Sequence, residues 1–509
     1  MAGIFPTTNF NLNNANIKIF SSSRKPLILA QGLPSGTFVS GDLITSIDNE
    51  FGTASKLFGA GSHAQIMVDA FKEENQLSRL DVIAISDNIA GVAATSTATF
   101  VGVPVENGTF QISIGSYINN KYDISVTTAS TVTTIAASVV SAITADLKSP
   151  VTATNLLGVV TFTAKNKGSE ANRYTIKLQG TVSGLSHSVT AFNGGATDPI
   201  LTGILDKIDE SRYDIITPCA FLNTIKSHLE NKFNTFNAIR DGIGFVSKTD
   251  SYANIQTTLG SLASQVINIW FNKLVNDTSW KGGALVELDF VISAKVAALR
   301  ALRFTDDAIL SSFMTAGNIR GGVFMASIPY FNMKLNNVTS IPVGKGFNQV
   351  EVLGIADLGG STFGMENDNS VVVTNAALLS SYKKPTPTAI GLTYHYLEDN
   401  DTLTTAREYI FTNVKTKYAQ SALTSGEIPN NPNIIIANEQ SIRSYFLELW
   451  LDLTGADFSV LQGGANLQEE FLQNLVVNID TSTGTASGSM ALRRMGQLRN
   501  FDFEITPIL

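Results

Sequence analysis

The sequence YDIITPC (213–219) begins a stretch in which short apolar segments alternate with helical patterns. The apolar segments that follow it are GIGFVS (242–247) and QVINIWF (265–271). The spacing of apolar residues between and after them predicts helices at 222–237, 251–263 and 284–303. Strands that alternate with helices favour a mainly parallel sheet with helices on both faces. This stretch therefore predicts an α/β fold.

The residues before this stretch predict an α/β beginning that is interrupted by an insertion. FGTASKLFGAGSHAQIMVDAFKEEN (51–75) predicts a glycine-flanked helix, and LDVIAIS (80–86) predicts a buried strand. From about 90 to 195 the chain is rich in Thr, Ser, Val and Gly, and it alternates apolar and polar residues, which is typical of antiparallel strands. A short helix is expected near 133–147. Because the α/β pattern then resumes, we interpret this segment as an inserted, peripheral β domain.

The residues after 303 predict a hairpin and a small α+β unit. GGSTFGMENDNSVVVTNAAL (359–378) reads as two strands that reverse at an acidic, Asn-rich turn. Further on, the pattern predicts helices at 404–423 and 438–453 and a strand at 474–484. Glu398, Asp399 and Asp401 are expected to form a solvated turn before the first of these helices, with Thr404 as its N-cap.

Both ends of the chain contain strand-like segments that have no evident local partner. The alternation in the closing segment QLRNFDFEITPIL (497–509) would give it one apolar and one polar face. We interpret both ends as extended arms. Their apolar residues are Phe10, Leu12, Ile17 and Ile19 at the N-terminal end and Leu498, Phe501, Phe503 and Ile505 at the C-terminal end.

Composition excludes several classes of function. The 509 residues are enough for roughly three domains. The formal net charge of -8 gives no electrostatic basis for binding nucleic acid. The single cysteine, Cys219, cannot form an internal disulfide, which fits a reducing compartment. No secretory signal pattern and no long apolar window is evident, so neither secretion nor direct membrane insertion is expected. Charged residues make up only 15% of the chain, and a surface of low charge suits burial against other copies.

Residues that carry enzyme chemistry are sparse in this sequence. The segment PVGKGFN (342–348) lacks the first glycine and the final Ser or Thr of a phosphate-binding loop. The acidic residues before 404 lack the glycine and the spacing of a calcium loop. We therefore predict no catalytic residue, no metal site and no cofactor. The four histidines are interpreted as core or surface residues because no two of them have a ligand spacing: His63, His187, His228 and His395.

Three segments of the C-terminal region resemble the contractile tail sheath family, in particular that of Mu-like phages. They are YLEDNDTLTTAREYIFTNVKTKY (396–418), IPNNPNIII (428–436) and EQSIRSYFLEL (439–449), and they are followed by the closing segment. Upstream, FGAGSHAQIMVDAFKEENQLSRLDVIAISD (58–87) is similar to the helix and strand that open the sheath core. GVVTFTAKNKGSEANRYTIKL (158–178) is similar to the Mu-type insertion, including its Lys-Asn-Lys-Gly turn.

The resemblance implies a fold and an assembly. Sheath cores contain a domain that resembles subtilisin without its activity, which would correspond to the α/β stretch. The family's arms reach neighbouring subunits and add strands to a sheet in the C-terminal domain, which is β-strand exchange. The implied division is an N-terminal arm (1–25), the start of the core (26–90), the insertion (91–198), the subtilisin-like α/β domain (199–384) and the C-terminal inner domain (385–509).

The function that the resemblance implies is structural. The chain would polymerise as stacked hexameric rings around a tail tube and contract to drive the tube through a host envelope during genome delivery. Its partners would be other copies of itself, the tube protein, and the baseplate and tail terminator proteins. It would reside in the virion after assembly in the host cytoplasm. A tube or capsid component is the alternative, and an enzyme is a third reading.

A basic group on the predicted helix at 404–423 is a candidate surface for the tube. Arg407, Lys415 and Lys417 could meet an acidic partner if they are exposed together. Simple solvation of the helix explains the same residues equally well.

Overall fold

The structure is a computed structural model, and parts of the chain are described. The described residues are 25–47, 52–116, 119–209, 211–233, 242–262, 264, 266–303, 330, 333–366, 368–375, 396–428, 435–455 and 461–493. The α-helices among them are α1 (Thr53–Phe58), α2 (His63–Glu74), α3 (Val132–Ala145), α4 (Leu222–Phe233), α5 (Tyr252–Ser261), α6 (Asp289–Arg303), α7 (Gln349–Asp357), α8 (Leu397–Tyr418), α9 (Glu439–Thr454) and α10 (Ala465–Asn474).

The strands form one large mixed sheet, a second four-stranded sheet and three short two-stranded pairs. They are β1 (Pro26–Gln31), β2 (Leu43–Ile44), β3 (Asp81–Ile85), β4 (Thr95–Gly102), β5 (Gly108–Ile114), β6 (Lys121–Val126), β7 (Val151–Leu156), β8 (Val159–Ala164), β9 (Ile176–Gln179), β10 (Leu185–Val189), β11 (Asp214–Ile216), β12 (Gly244–Asp250), β13 (Ile267–Asp277), β14 (Trp280–Gly283), β15 (Thr362–Met365), β16 (Val371–Asn375), β17 (Ala422–Leu423), β18 (Ile436–Ala437), β19 (Val476–Asp480) and β20 (Thr485–Ser489).

The centre of the large sheet is parallel, as the sequence predicts. Strands β3, β1, β11, β12 and β13 are neighbours in that order, and each adjacent pair is parallel. The whole of β1 is buried, because helices cover both of its faces. Ile28 and Ala30 pack in the same core as α2 and α6, whereas Leu27 and Leu29 pack with α4 and α5. The result is a three-layer α/β/α arrangement.

The insertion has the antiparallel strands and the helix that the sequence predicts, but it is not packed as a separate body. Strands β9, β5 and β6 continue the large sheet beyond β14. The junction is the short antiparallel pair of β14 with β9, in which Trp280 lies opposite Lys177. The other strands of the insertion form the sheet β10-β4-β8-β7, and its buried residues belong to the same hydrophobic core as α2 and α6. The domain boundaries stay a prediction, but this packing differs from that expected of a peripheral module.

The remaining predicted elements are the hairpin, the C-terminal helices and strand, and helix α6. Strands β15 and β16 pair antiparallel around the acidic turn, which confirms the hairpin. Helix α9 and strand β19 confirm the elements predicted at 438–453 and 474–484. The helix predicted at 404–423 is wrong at both ends, because α8 begins at Leu397 and ends at Tyr418. Helix α6 begins at Asp289 instead of 284, since the residues before Asp289 are buried without being helical.

The C-terminal unit has its own hydrophobic core, separate from those of the large sheet. It is built from α8, α9, α10 and the hairpin of β19 with β20. Helix α9 supplies five of the twelve buried residues of this core, and Asn438 caps its first turn by accepting a hydrogen bond from the Ser441 amide. Its buried residues are Ile442, Tyr445, Leu449, Trp450 and Leu453. This part of the chain therefore has the small α+β architecture that the sequence predicts.

Candidate functional site

An apolar groove lies on the surface of the C-terminal unit. It has a volume of about 320 Å³ and lies between α8, α9 and the strand pairs β17–β18 and β19–β20. Its wall includes Val414, Leu423, Ile442, Phe446 and Val477. A groove of this size and lining accepts apolar side chains.

One wall of the groove is a strand whose outer edge is open among the described residues. Among the described residues, β20 pairs only with β19, in a register that runs from Val476 opposite Ser489 to Asp480 opposite Thr485. Every residue of β20 is exposed, and none of them is charged. Natural sheet edges are usually protected by charges, proline or a covering element. An open, uncharged edge beside an apolar groove has the properties of a surface that accepts an added strand.

The basic residues of α8 do not form one basic face. Lys415 and Lys417 are exposed, whereas Arg407 is half-buried. A helix turns about 100° per residue, so Lys415 and Lys417 project about 160° apart. The Lys417 ammonium lies 3.5 Å from the centroid of the Tyr445 ring, and the Lys415 ammonium lies 6.0 Å from that of Phe411. The structure therefore brings two of the three predicted residues to the surface, on different sides of the helix.

The acidic residues before 404 are not a solvated turn, contrary to the sequence prediction. Glu398, Asp399 and Asp401 lie in the first turns of α8, and each is at most 1% exposed. Thr404 is also buried inside the helix, so it is not the N-cap; that position belongs to Tyr396. The prediction failed because it assumed that three acidic residues close together must be exposed to solvent. Buried carboxylates are stable when a cation and hydrogen-bond donors face them.

One of these carboxylates, that of Asp401, faces a cation, Arg300, near the end of α6. Its guanidinium donates hydrogen bonds to Asp401 Oδ1 from Nε at 3.0 Å and from Nη2 at 2.6 Å, and it also contacts Asp214 at the start of β11. The Tyr330 hydroxyl donates to Asp401 Oδ2 at 2.8 Å, and the Tyr330 amide donates to Glu398 at 2.8 Å. Burial alone would lower the pKa of Arg300, but the carboxylates of Asp214 and Asp401 raise it. This network joins α8 to the large sheet.

A second polar cluster lies at the carboxyl edge of the parallel strands. Residues 165–173 of the insertion, which we call the strap, cross this edge. Asp87, just after β3, accepts hydrogen bonds from Gln31 at 2.6 Å, from the Asn166 side chain at 3.0 Å and from the Lys167 amide at 3.0 Å. Further along, Glu170 accepts a hydrogen bond from the Ala220 amide at 3.0 Å. The Lys-Asn-Lys-Gly turn noted in the sequence thus contacts the carboxyl edge of the parallel strands.

Titratable groups beneath the strap are perturbed by burial. Burial, with a smaller contribution from the charge of Arg173, lowers the pKa of His63 to about 3, and its Nε2 lies 2.6 Å from the Tyr174 hydroxyl. Burial raises the pKa of Asp289 to about 6, and this carboxylate accepts hydrogen bonds from the amide and the hydroxyl of Thr249. Burial raises the pKa of Cys219 to about 11. A neutral histidine and a protonated thiol of this kind are poor nucleophilic partners at neutral pH.

The other predicted residues fall in two groups. His187 is half-buried and stacks on the Phe110 ring, and His228 is half-buried near Asp209; burial lowers the pKa of both. His395 and all eight apolar arm residues lie outside the described residues. Within the described part of the chain, no cluster of His, Cys, Asp and Glu has a metal-binding arrangement, and no helix has the length and apolarity needed to cross a membrane.

The sequence reasoning missed Arg300, Asp214 and β20. A signal for Arg300 existed, since it lies within the otherwise apolar pattern AALRAL (297–302), where a buried arginine needs a carboxylate partner. No signal in the sequence identified Asp401 as that partner. Strand β20 reads TASGS, and small polar residues of this kind carry little strand preference.

Comparison with known proteins supports one of the sequence interpretations. No protein-family model matches the chain. A curated relative, the Mu-like prophage FluMu tail sheath protein of Haemophilus influenzae, is 26% identical over 242 residues, which are 46% of this chain and 48% of the relative. The match thus spans about half the length of that protein. It confirms the resemblance to Mu-like tail sheath proteins.

Two solved structures are similar over most of the chain, at low TM-scores. A sheath tail protein from Desulfitobacterium hafniense is 10% identical with a TM-score of 0.43, over 93% of this chain and 97% of its own. The helical sheath of the anti-feeding prophage in its contracted state is 11% identical with a TM-score of 0.45, over 96% of this chain and 94% of its own. Values below 0.5 carry no argument about the arrangement of the domains.

Proposed function

We propose that this chain is the sheath subunit of a contractile phage tail and that it works by polymerising and contracting. The observation that carries the proposal is the sequence match to a Mu-like tail sheath protein over 242 residues. The low charge content and the open groove of the C-terminal unit agree with burial against further copies.

The subunits would assemble through their arms. The N-terminal arm (1–25) and the closing segment (497–509) would leave their own subunit and add strands beside β20 of a neighbour. Apolar side chains of the closing segment, such as Phe501 and Phe503, would enter the groove, and its backbone would pair with the open edge. Such a contact is head-to-tail, so it can close into a ring and also continue along an axis. Six-membered rings stacked around the tail tube would result.

Contraction would be a rearrangement of whole subunits that keeps the arm connections. The inner domain would face the tube, and the α/β domain would serve as a subtilisin-like body without catalytic function. The extended sheath would be a kinetically trapped state in which energy is stored at assembly. A gain of about 1.4 kcal/mol per subunit would change the equilibrium of each subunit tenfold, and many subunits act together. Baseplate and terminator proteins would hold the two ends, in a virion assembled in the host cytoplasm.

Electron microscopy of the purified protein in negative stain tests the proposal directly. A sheath subunit should form hollow, striated cylinders. A capsid component should form closed shells, and a tube protein should form narrow, smooth tubes. Either of these two results would refute the sheath assignment.

Truncation tests the arm model separately. Removing the residues after Gly496, or deleting residues 1–20, should give a folded monomer, because the groove remains while its occupant is lost. Size-exclusion chromatography reports the assembly state and circular dichroism reports the fold. Polymers like those of the full chain would contradict the arm model, and loss of secondary structure would mean that the segments complete their own subunit.

A further inference from the structure

The strap crosses the large sheet at the point where the direction of winding reverses. From β1 the chain passes through α1 and α2 to β3 on one side, whereas β11 leads through α4 to β12 on the other side. Strands β1 and β11 are neighbours, so this is a topological switch point. In open α/β sheets, the crevice outside the carboxyl ends of the strands at such a point is the usual ligand site. Here, groups of the same chain occupy it.

The strap contacts both sides of the switch point. On the side of β1 and β3, the Asn166 side chain donates to the Gly32 carbonyl at 3.3 Å as well as to Asp87, while its oxygen accepts from the His63 amide at 3.0 Å. On the side of β11 and β12, Glu170 binds the Ala220 amide and forms an ion pair with Arg173. Asn166 and Glu170 are each 1% exposed. These are buried polar contacts, which are costly to leave unsatisfied.

The backbone of the strap is shaped for this position. Gly168 has a φ of 111°, a conformation that L side chains rarely adopt, and a Cβ there would lie 2.5 Å from Asp198 Oδ1. Asp198 in turn accepts hydrogen bonds from the Ser169 amide at 2.6 Å and from its hydroxyl at 2.7 Å. The exit of the insertion is thereby tied to the strap at the same place.

We infer that the strap is a conformational lock that makes the insertion and the parallel sheet a single cooperative unit. It fills the switch-point crevice with Asn166 and Glu170 and uses Asp87 as the anchor on the sheet. The sheet junction through β9 and β14, and the core that the insertion shares with α2 and α6, are further connections. Loosening the anchor should therefore release the insertion from the carboxyl edge without breaking the sheet. This inference is independent of the sheath proposal.

The test compares Asp87→Ala with Asp42→Ala in the full chain by hydrogen exchange with mass spectrometry. Asp42 is a matched control, because its carboxylate forms an exposed ion pair with Lys207. In the Asp87 variant, amides of the strap should exchange at least about tenfold faster, since three hydrogen bonds to one carboxylate are lost. In the Asp42 variant, their exchange should equal that of the wild type. Unchanged exchange of the strap in Asp87→Ala would overturn the inference.

A measurement on the wild type covers the case in which Asp87→Ala does not fold. At high pH, where each opening event leads to exchange, amides of the strap, of β1 and of β5 should exchange at one common rate, that of global unfolding. A strap or an insertion that exchanges at a separate, faster rate would show two independent units and would refute the lock. Scanning calorimetry should agree, with insertion and sheet melting in one transition.

Discussion

Replacing Arg300 with methionine tests whether its buried network holds α8 against the large sheet. Methionine keeps much of the length and the apolar contacts of the stem, and it removes the guanidinium. Arg300 is 1% exposed and shares its charge between Asp214 and Asp401. The variant leaves both carboxylates buried without the cation that they share.

The magnitude follows from what remains after the substitution. Removing one partner of a buried ion pair costs roughly 3–5 kcal/mol, because an uncompensated charge stays in a medium of low dielectric constant. Asp401 would still accept a hydrogen bond from the Tyr330 hydroxyl, and Asp214 would still accept one from the Ile243 amide. These remaining donors place the expected loss of unfolding free energy at about 3 kcal/mol, at the lower end of that range.

Urea unfolding followed by circular dichroism measures the loss, and hydrogen exchange of residues 397–409 measures its location. Arg493→Met is the matched control, since Arg493 forms an exposed ion pair with Glu470 and its loss should cost at most about 1 kcal/mol. Equal losses in the two variants would refute the reasoning. A large loss with unchanged exchange in α8 would show that the network stabilises the sheet alone.

Three further predictions concern charges that are removed, added or reversed. Burial raises the pKa of Glu287 to about 8, so the folded state holds this proton more tightly than the unfolded state, and stability should fall as pH rises from about 5 to 8. The urea midpoint of Glu287→Gln should therefore fall less over this pH range than that of the wild type. Ala486→Lys puts a charge on the open edge of β20 and should block polymer growth in electron micrographs. The control Gln473→Lys, at an exposed position of α10, should not block it. Full-length polymers from Ala486→Lys would show that this edge does not take part in assembly. Reversing Lys415 and Lys417 to Glu should weaken cosedimentation with a tube but not self-assembly, and unchanged cosedimentation would remove these residues from the tube surface.

Local patterns predicted the elements of this fold better than its long-range contacts. The parallel centre was predictable because strands buried on both faces read as apolar runs, such as LILA in β1 and VIAI in β3. The junction of the insertion with the sheet was not, because β9 and β14 are short and lie about 100 residues apart in the chain. The pairing of Arg300 with Asp401 spans 101 residues and has no local signature either.

The candidate site was predictable only in part, for the same physical reason. Lys415 and Lys417 lie on the helix that the sequence predicts, and their separation of about 160° around it follows from their spacing of two residues. Whether the edge of β20 is open depends on which strands lie beside it, and its sequence, TASGS, does not indicate those strands. Burial of Asp401 depends on a distant arginine, Arg300. Composition and periodicity indicate which secondary structure and which degree of burial a residue prefers. Open edges and buried ion pairs depend instead on residues that contact it from distant parts of the chain.

The separate attachments of the insertion also determine how it responds to a mechanical load. The antiparallel pair of β14 with β9 joins it to the sheet over two residue pairs, and its buried residues belong to the core of α2 and α6. The strap adds contacts at the carboxyl ends of β1, β3 and β11, which β12 and β13 separate from β14 in the sheet. A domain that is attached at separate places resists rotation about any one of them. We therefore expect a force on the insertion to be transmitted to the sheet and to its flanking helices.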